Sequence, residues 1–441
     1  MNKSPLAQRG NARTKRPERS QVEMQFISLD EWLDANHRVR IVWQYVESLD
    51  LTELYVPIKA TTDNVGRDAI DPRILFGLWL FATLEGVTSA RKIDELTRRD
   101  IAYMWICGHV SVNYHRLSDF RAAHGDLLDR ILTDSIAVLL HQDLITLDTI
   151  AQDGMRVRAS AGSGSFRTED GLEKARQKAQ EYVDELNKNP DDSSANSRRQ
   201  GAAQERAARE RQERIEHAQR EMQDMQQKYD ERTSSVKRSQ PRASTTDPEA
   251  RRMKMGDNGF RPAMNVQFAS DGDTQLVVSA DVTNQGSDNG LMKPMYDDVC
   301  ERYGVVPNDY LVDGGFSKKD DITELEKNGT KVYAPLYNQD KQLEKGEDPY
   351  APRKGESQEM TAHRERMGTA EAKEVYKRRS AIAEFPNAEC RNRGLNQFRV
   401  RGLVKAKAQT LWHVLAFNFL RLLNLRCELR GQSYLEVIMA N

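Results

Sequence analysis

Long apolar runs are missing from this 441-residue sequence. The longest, residues 74–84, falls well short of the roughly 20 residues that a membrane-spanning helix requires. The polar N-terminus has no apolar stretch of the kind a secretory signal carries. Cysteine is scarce: Cys107, Cys300, Cys390 and Cys427 are scattered, and no two sit at the spacing of a zinc ribbon or a redox motif. Free thiols in a reducing compartment are expected, and with them a cytoplasmic protein. The histidines form no HxH or HxxxH pair. Gly162-Ser-Gly-Ser-Phe-Arg167 lacks the last glycine of a dinucleotide fingerprint, and no Walker lysine follows a glycine-rich loop. Zinc hydrolysis and nucleotide-driven chemistry are therefore disfavoured. The formal net charge of -1 argues against a chain that coats nucleic acid through bulk positive charge.

Charge is nevertheless unevenly placed. Near the N-terminus, Lys3, Arg9, Arg13, Lys15, Arg16 and Arg19 stand against the single acid Glu18, which predicts a disordered basic arm over residues 1–28. Residues 29–144 are patterned as helices. Asp71 is an N-cap with Pro72 in the first helical position, Gly86 is a stop, and Ser89 is a further cap. Around residues 113–121, Leu117 and Phe120 share one helical face while His115, Arg116 and Asp119 lie on others. With the apolar-striped helix at 127–140 this segment fits either an ordinary helical bundle or a helix-turn-helix-like DNA reader.

From residue 145 the apolar period switches to that of strands: 145–153, then 155–159, 264–269, 275–282, 310–313 and 330–334, with a helix over 289–303. Such an order fits a ribonuclease-H-like α/β domain, among other α/β arrangements. Between these strands, Leu172, Ala175, Ala179, Tyr182 and Leu186 carry one heptad seam, and Ile215, Ala218, Met222, Met225 and Tyr229 carry another. A polar turn, Asn189-Pro-Asp-Asp-Ser-Ser-Ala-Asn196, separates the two. This predicts an antiparallel helical hairpin, a coiled-coil insertion over residues 165–240.

The candidate chemistry is acidic. Asp153 is expected to close the strand at 145–153 and Asp313 the strand at 310–313, and ligands of open α/β sheets gather beyond the carboxyl ends of strands. Hard cations such as Mg²⁺ take oxygen ligands and keep water, so two aspartates and one further carboxylate suit one or two such ions. Two metals about 3.5–4 Å apart stabilise both oxygens of an in-line phosphoryl displacement. Taken alone, each aspartate is equally a turn residue, since Asp-Gly is a common turn dipeptide, and Asp148, Asp320 and Asp321 stand nearby.

Ordered blocks then carry a resemblance. Asp153-Gly154, Val157-Arg-Ala-Ser160, Ser244-Thr-Thr-Asp-Pro-Glu-Ala250, Gly259-Phe-Arg-Pro262 and Asn265-Val-Gln-Phe268 resemble the core of bacterial insertion-sequence DDE transposases. Leu311-Val-Asp-Gly-Gly-Phe316 and Val332-Tyr-Ala-Pro335 resemble the second-aspartate strand and the strand after it. Tyr376-Lys-Arg-Arg379, Ala383-Glu384-Phe385, Arg391-Asn-Arg-Gly394 and Val400-Arg-Gly-Leu403 resemble the block of the third carboxylate. Asp71-Pro72, Gly86-Val-Thr-Ser-Ala-Arg91 and Asp119-Phe-Arg121 are similar to the family's N-terminal helical domain.

The resemblance implies a transposase with a ribonuclease-H-like catalytic domain over residues 145–441, interrupted by the hairpin, behind an N-terminal helical, DNA-binding domain. It implies Asp153, Asp313 and Glu384 as catalytic carboxylates and ligands of two Mg²⁺ ions, for which Mn²⁺ substitutes. Glu389 is the alternative third ligand. Expected DNA contacts are Arg116 and Arg121 in the helical domain, Arg379 and Arg391 around the third carboxylate, and Arg399, Arg401 and Lys405 beyond it. The expected partner is double-stranded DNA, at element ends and target, engaged by a homodimer associated with the nucleoid and not with a membrane. Two rival readings are a DNA-binding relic without chemistry and a metal-dependent nuclease that cuts without joining. The sequence departs from the broader pattern Tyr-x2-Arg-x3-Glu-x6-Lys by one extra residue between Arg379 and Glu384, and Arg391 stands where lysine is expected. Pro386 disfavours a helical Phe385, which predicts a helix start or kink at Glu384.

Overall fold

Seven helices precede the first strand in the computed structural model, which describes residues 20, 22, 24, 26–61, 68–188, 195–231 and 240–430. Most of the expected basic arm and residues 189–194 of the expected polar turn lie outside the described residues. The helices are α1 (Leu29–Trp32), α2 (Val39–Ser48), α3 (Pro72–Leu84), α4 (Ala90–Leu96), α5 (Ile101–Cys107), α6 (Tyr114–Ala123) and α7 (Gly125–His141). Their ends follow the cap chemistry of the sequence. The Asp71 carboxylate accepts from the Arg73 amide at 2.8 Å, Asn113 caps α6 through the Arg116 amide at 3.0 Å, and Gly86 adopts the left-handed conformation past α3. Of the residues in α3 only Arg73 escapes full burial, so this helix is apolar all round and forms the centre of the bundle.

One mixed sheet follows. Strand β1 (Thr149–Arg158) pairs antiparallel along its length with β5 (Phe260–Asp271) and, over its first residues, parallel with β7 (Asp309–Leu311). Strand β7 pairs parallel with β8 (Lys331–Tyr333), while the far edge of β5 holds first β4 (Arg251–Lys254) and then β6 (Val277–Thr283). The short strands β2 (Phe166–Arg167) and β3 (Ala243–Ser244) form a separate ladder. Helix α10 (Met292–Tyr303) leads from β6 to β7, and α11 (Lys319–Lys327) leads from β7 to β8. Strand β5 is buried almost without interruption, as a strand covered on both faces must be.

Helices α13 (Gln358–Gly368), α14 (Ala370–Arg379) and α15 (Phe385–Asn392) follow the short α12 (Gln339–Glu344). Met367, Ala372, Ile382 and Ala383 from this run pack on Ala151, Leu311 and Tyr333 of the sheet. The last helix, α16 (Leu403–Arg430), packs against α3, α6 and α7 and also against β6. The Asn418 amide grips β6 from both sides, accepting from the Val277 amide at 2.9 Å and donating to its carbonyl at 2.7 Å. Through α16 the helical region and the sheet share one continuous apolar core. Trp412 and His413 of this helix are buried.

Helices α8 (Glu169–Lys188) and α9 (Ala195–Asp230) pack against each other. Leu172, Ala218 and Met222 from the two heptad seams bury together with Ala243 in a cluster separate from the main core.

Candidate active site

Asp153 does not close a strand. The Asp153-Gly154 dipeptide lies in the middle of β1, because β5 is long enough to pair with β1 from Ile150 to Arg158. The turn chemistry of Asp-Gly is overridden by this ladder, and the glycine has another role. A Cβ at Gly154 would stand 2.3 Å from Nε2 of Gln267 and 2.7 Å from Oδ1 of Asp288. What ends near Asp153 is the parallel ladder to β7, whose register runs Thr149 to Asp309, Ile150 to Tyr310 and Ala151 to Leu311. Two residues further along each chain stand Asp153 and Asp313, so the register sets the two aspartates side by side at the carboxyl end of β7. Side chains alternate along a strand, so Asp153 shares the face of Ala151, the face covered by Ile382 and Ala383.

Asp313 begins a short 3₁₀ turn and its Oδ1 accepts from the Gly315 amide at 2.7 Å, which fixes the carboxylate against the turn. Asp153 is held from the other side, where Nδ2 of Asn387 donates to its Oδ2 at 2.8 Å. The Asp153 carboxyl is pushed up to about 6, chiefly by burial and further by the negative charge of Asp313. The Gly154 amide, Arg379 and Asn387 pull the other way. A buried Asp153 carboxyl beside a second carboxylate is an oxygen donor set that a cation would satisfy.

Glu384 enters through a feature that explains the extra residue in its motif. Between α14 and α15, Ser380 to Glu384 form a π-turn, so the helix continues with one residue more than an α-helix would use. Residues five apart point about 140° away from each other in an α-helix. The wider π-turn draws them together, and Nη2 of Arg379 donates to Oε1 of Glu384 at 3.0 Å. The freed Ala381 carbonyl accepts from Nε2 of Gln275 at 2.9 Å. Pro386, which has no amide hydrogen, falls in the first turn of α15, where that absence costs least. The expectation that Pro386 holds Phe385 out of the helical region is not met: Phe385 is helical (φ -62°, ψ -50°), and Glu384 ends the π-turn inside a continuing helix with its side chain half exposed. Arg379 is mostly buried, its Nη1 has no partner, and its charge acts on Asp153.

Glu389, the alternative third carboxylate, is bound to Arg393 at 2.5 Å on its own helix. The carboxylates of Asp153, Asp313 and Glu384 are not gathered tightly. Among the described residues, the one group of three potential ligand side chains within 4.8 Å of one another is His217, Glu221 and Glu249, elsewhere in the molecule.

Sequence reasoning missed Asn387 and a buried polar chain behind β1. Tyr310 donates to Gln152 at 2.8 Å, Gln152 to Gln267 at 2.9 Å, and Gln267 to Asp288 at 2.9 Å. Arg156 closes the chain on Asp288 at 2.8 Å. The alternation Gln152, Gly154, Arg156 along one face of β1 was the available signal, since polar residues at period two mark a face with its own partners.

The expected DNA-contact residues divide. Arg116, Arg391, Arg399, Arg401 and Lys405 are exposed. Arg379 is turned onto Glu384. Arg121 corrects the expectation: it is 5% exposed, donates to the carbonyls of Thr88 at 3.0 Å and Arg399 at 3.5 Å, and lies over the Trp79 ring. Its guanidinium ties α6 to the segment before α16 and does not face solvent, because Phe120 and Leu117 on the same short helix draw that face into the core.

Two family models match the chain. Residues 27–123 match the Transposase domain (DUF772), and residues 229–419 match the Transposase DDE domain. The chain belongs to the insertion-sequence DDE transposase family. No curated protein and no solved structure matches it. The transposase is an enzyme of the polynucleotidyl transferase and nuclease type, its substrate is DNA, and domains of its kind depend on a divalent metal. Asp313 and Glu384 fall within the matched DDE segment, whereas Asp153 precedes it, on the far side of α8 and most of α9. No described helix of the transposase is long and apolar enough to cross a membrane.

Proposed function

We propose that Asp153, Asp313 and Glu384 are the metal-holding carboxylates of this transposase, and that they stand in a ribonuclease-H-like domain into which α8 and α9 are inserted as a coiled-coil hairpin. The observation that carries the reading is the β1–β7 register, which sets Asp153 beside Asp313, while Arg379 pairs with Glu384 and its charge acts on Asp153. The spatial order β6-β5-β1-β7-β8, with a helix before β7 and another before β8, supports the ribonuclease-H-like description.

The donor set fits Mg²⁺, because it offers oxygen ligands only and its crowded negative charge favours a hard cation. When bound, such ions lower the pKa of the attacking group and stabilise the charge that develops on the phosphate. The chain's own side chains set the geometry. Asn387 orients Asp153, the Gly315 amide orients Asp313, and Arg379 holds Glu384 until DNA arrives. Nη1 of Arg379 is buried without a partner, so Arg379 would meet a phosphate oxygen only on releasing Glu384. Exposed Arg391, Arg399, Arg401 and Lys405 offer further phosphate contacts, and Arg116 offers one on the helical domain. Hydrolysis at the element's end leaves a 3′-hydroxyl. That hydroxyl then displaces a 3′-oxygen in target DNA, so one phosphodiester is broken for each one formed. A homodimer in the cytoplasm, acting on both element ends, completes the proposal.

The test is incubation of the full chain with Mg²⁺, DNA carrying an element end and a second duplex. Joined products of both DNAs are expected. Cutting without joined product contradicts the strand-transfer step and leaves a nuclease; neither cutting nor joining, with DNA still bound, leaves a DNA-binding relic.

A further inference from the structure

Residues 244–250, a block with no part in the catalytic reading, pack between α9 and the start of α16. Asp247 and Glu249 accept from consecutive amides there, Oδ1 of Asp247 from Gly402 at 3.2 Å and Oε2 of Glu249 from Leu403 at 2.9 Å. From the other side α9 presents His217 and Glu221, one helical turn apart. We propose that His217, Glu221 and Glu249 form a Zn²⁺ site, separate from the catalytic carboxylates, that clamps α9 to the start of α16.

The geometry supports this in three ways. The ligand atoms of the three side chains all lie within 4.8 Å of one another. Nε2 of His217 is 3.5 Å from Oε1 of Glu221, long for a hydrogen bond and close to the edge of about 3.3–3.4 Å expected for a tetrahedron with zinc–ligand distances of about 2.0–2.1 Å. The other Glu221 oxygen is held by Arg251, which fixes the carboxylate with one oxygen turned to the histidine. Asp247 accepts from the amide next to the one that holds Glu249, but its carboxylate is not among the ligand atoms lying within 4.8 Å of one another, so water would complete the coordination shell. Glu221 pairs with Arg251, and Asp247 stands near the carboxylate of Glu249 and the guanidinium of Arg401. An imidazole in the donor set selects a borderline cation such as Zn²⁺, whereas the all-oxygen catalytic set favours Mg²⁺, so the two sites are separable by metal.

Equilibrium dialysis of the full chain against Zn²⁺ in excess Mg²⁺ tests the site, with circular dichroism to verify that each variant is folded. One equivalent of Zn²⁺ should be retained by the unaltered chain and by Asp153→Asn/Asp313→Asn. His217→Gln and Glu249→Gln should each weaken retention by at least about tenfold. Zn²⁺ should also raise the thermal unfolding midpoint of the first two proteins and not of the last two. Absence of retained Zn²⁺, or undiminished retention in His217→Gln, overturns the proposal. Retention lost in Asp153→Asn/Asp313→Asn but kept in His217→Gln assigns the ion to the catalytic carboxylates. That result overturns the second site while leaving the catalytic reading intact.

Discussion

At Gly154 any side chain would meet the amide of Gln267 and the carboxylate of Asp288, both fixed in the polar chain behind β1. Neither can yield without leaving a buried group unpaired, so Gly154→Ala should destabilise the fold by about 1–3 kcal/mol. Gly162→Ala, whose Cβ would meet nothing within 4 Å, should be close to neutral. Urea unfolding of the two variants measures the difference, and equal midpoints would contradict the packing described. Asn387 acts differently, because its one hydrogen bond goes to Asp153. Asn387→Ala should leave the unfolding transition in place and lower DNA cleavage by about 10- to 100-fold, the usual cost of losing a group that orients a metal ligand. Unchanged cleavage would show that Asp153 needs no such support.

Elements show where the sequence was readable. Helix caps at Asp71 and Ser89 were legible because they depend on residues a few positions apart, whereas the cap at Asn113 was not read, and in the seam expected on α8 Leu172 and Ala179 are buried but Tyr182 is exposed and Val183 is buried in its place. The run of β1 through Asp153 was not legible, because its length depends on β5, more than a hundred residues away in sequence. The burial of Arg121 depends on Trp79 and on the backbone at Arg399, equally remote. The π-turn was visible only as a spacing one residue too long. If that residue is a bulge, deleting Ala381 should restore a regular helix with Arg379 and Glu384 four apart, still paired. Cleavage should then stay within about tenfold of the parent, since the face carrying Glu384 keeps its register. A loss as large as that of Glu384→Ala would mean that the wide turn itself is needed. The hairpin offers another test at this scale. Leu172→Ala should cost about 2–5 kcal/mol, felt as faster amide exchange in α8 and α9 only, because its cluster is separate from the main core. Faster exchange throughout the sheet would contradict that separation.

Across the whole molecule, α16 joins what the sequence suggested were two domains. It lies against α3, α6 and α7 on one side and clamps β6 through Asn418 on the other, so the helical region and the sheet share a core. The catalytic proposal draws residues from across this plan, with Asp153 from β1, Asp313 after β7, and Glu384 from the turn between α14 and α15. Cleavage of element-end DNA in Mg²⁺ by Asp153→Ala, Asp313→Ala, Glu384→Ala and the triple variant tests it most directly, with Glu389→Ala as control. Residues serving one site fail together, so each of the first three should lose nearly as much activity as the triple variant, and Glu389→Ala should stay close to the parent. Full activity in Asp153→Ala or Asp313→Ala would contradict the account, and loss in Glu389→Ala with full activity in Glu384→Ala would move the third carboxylate to Glu389.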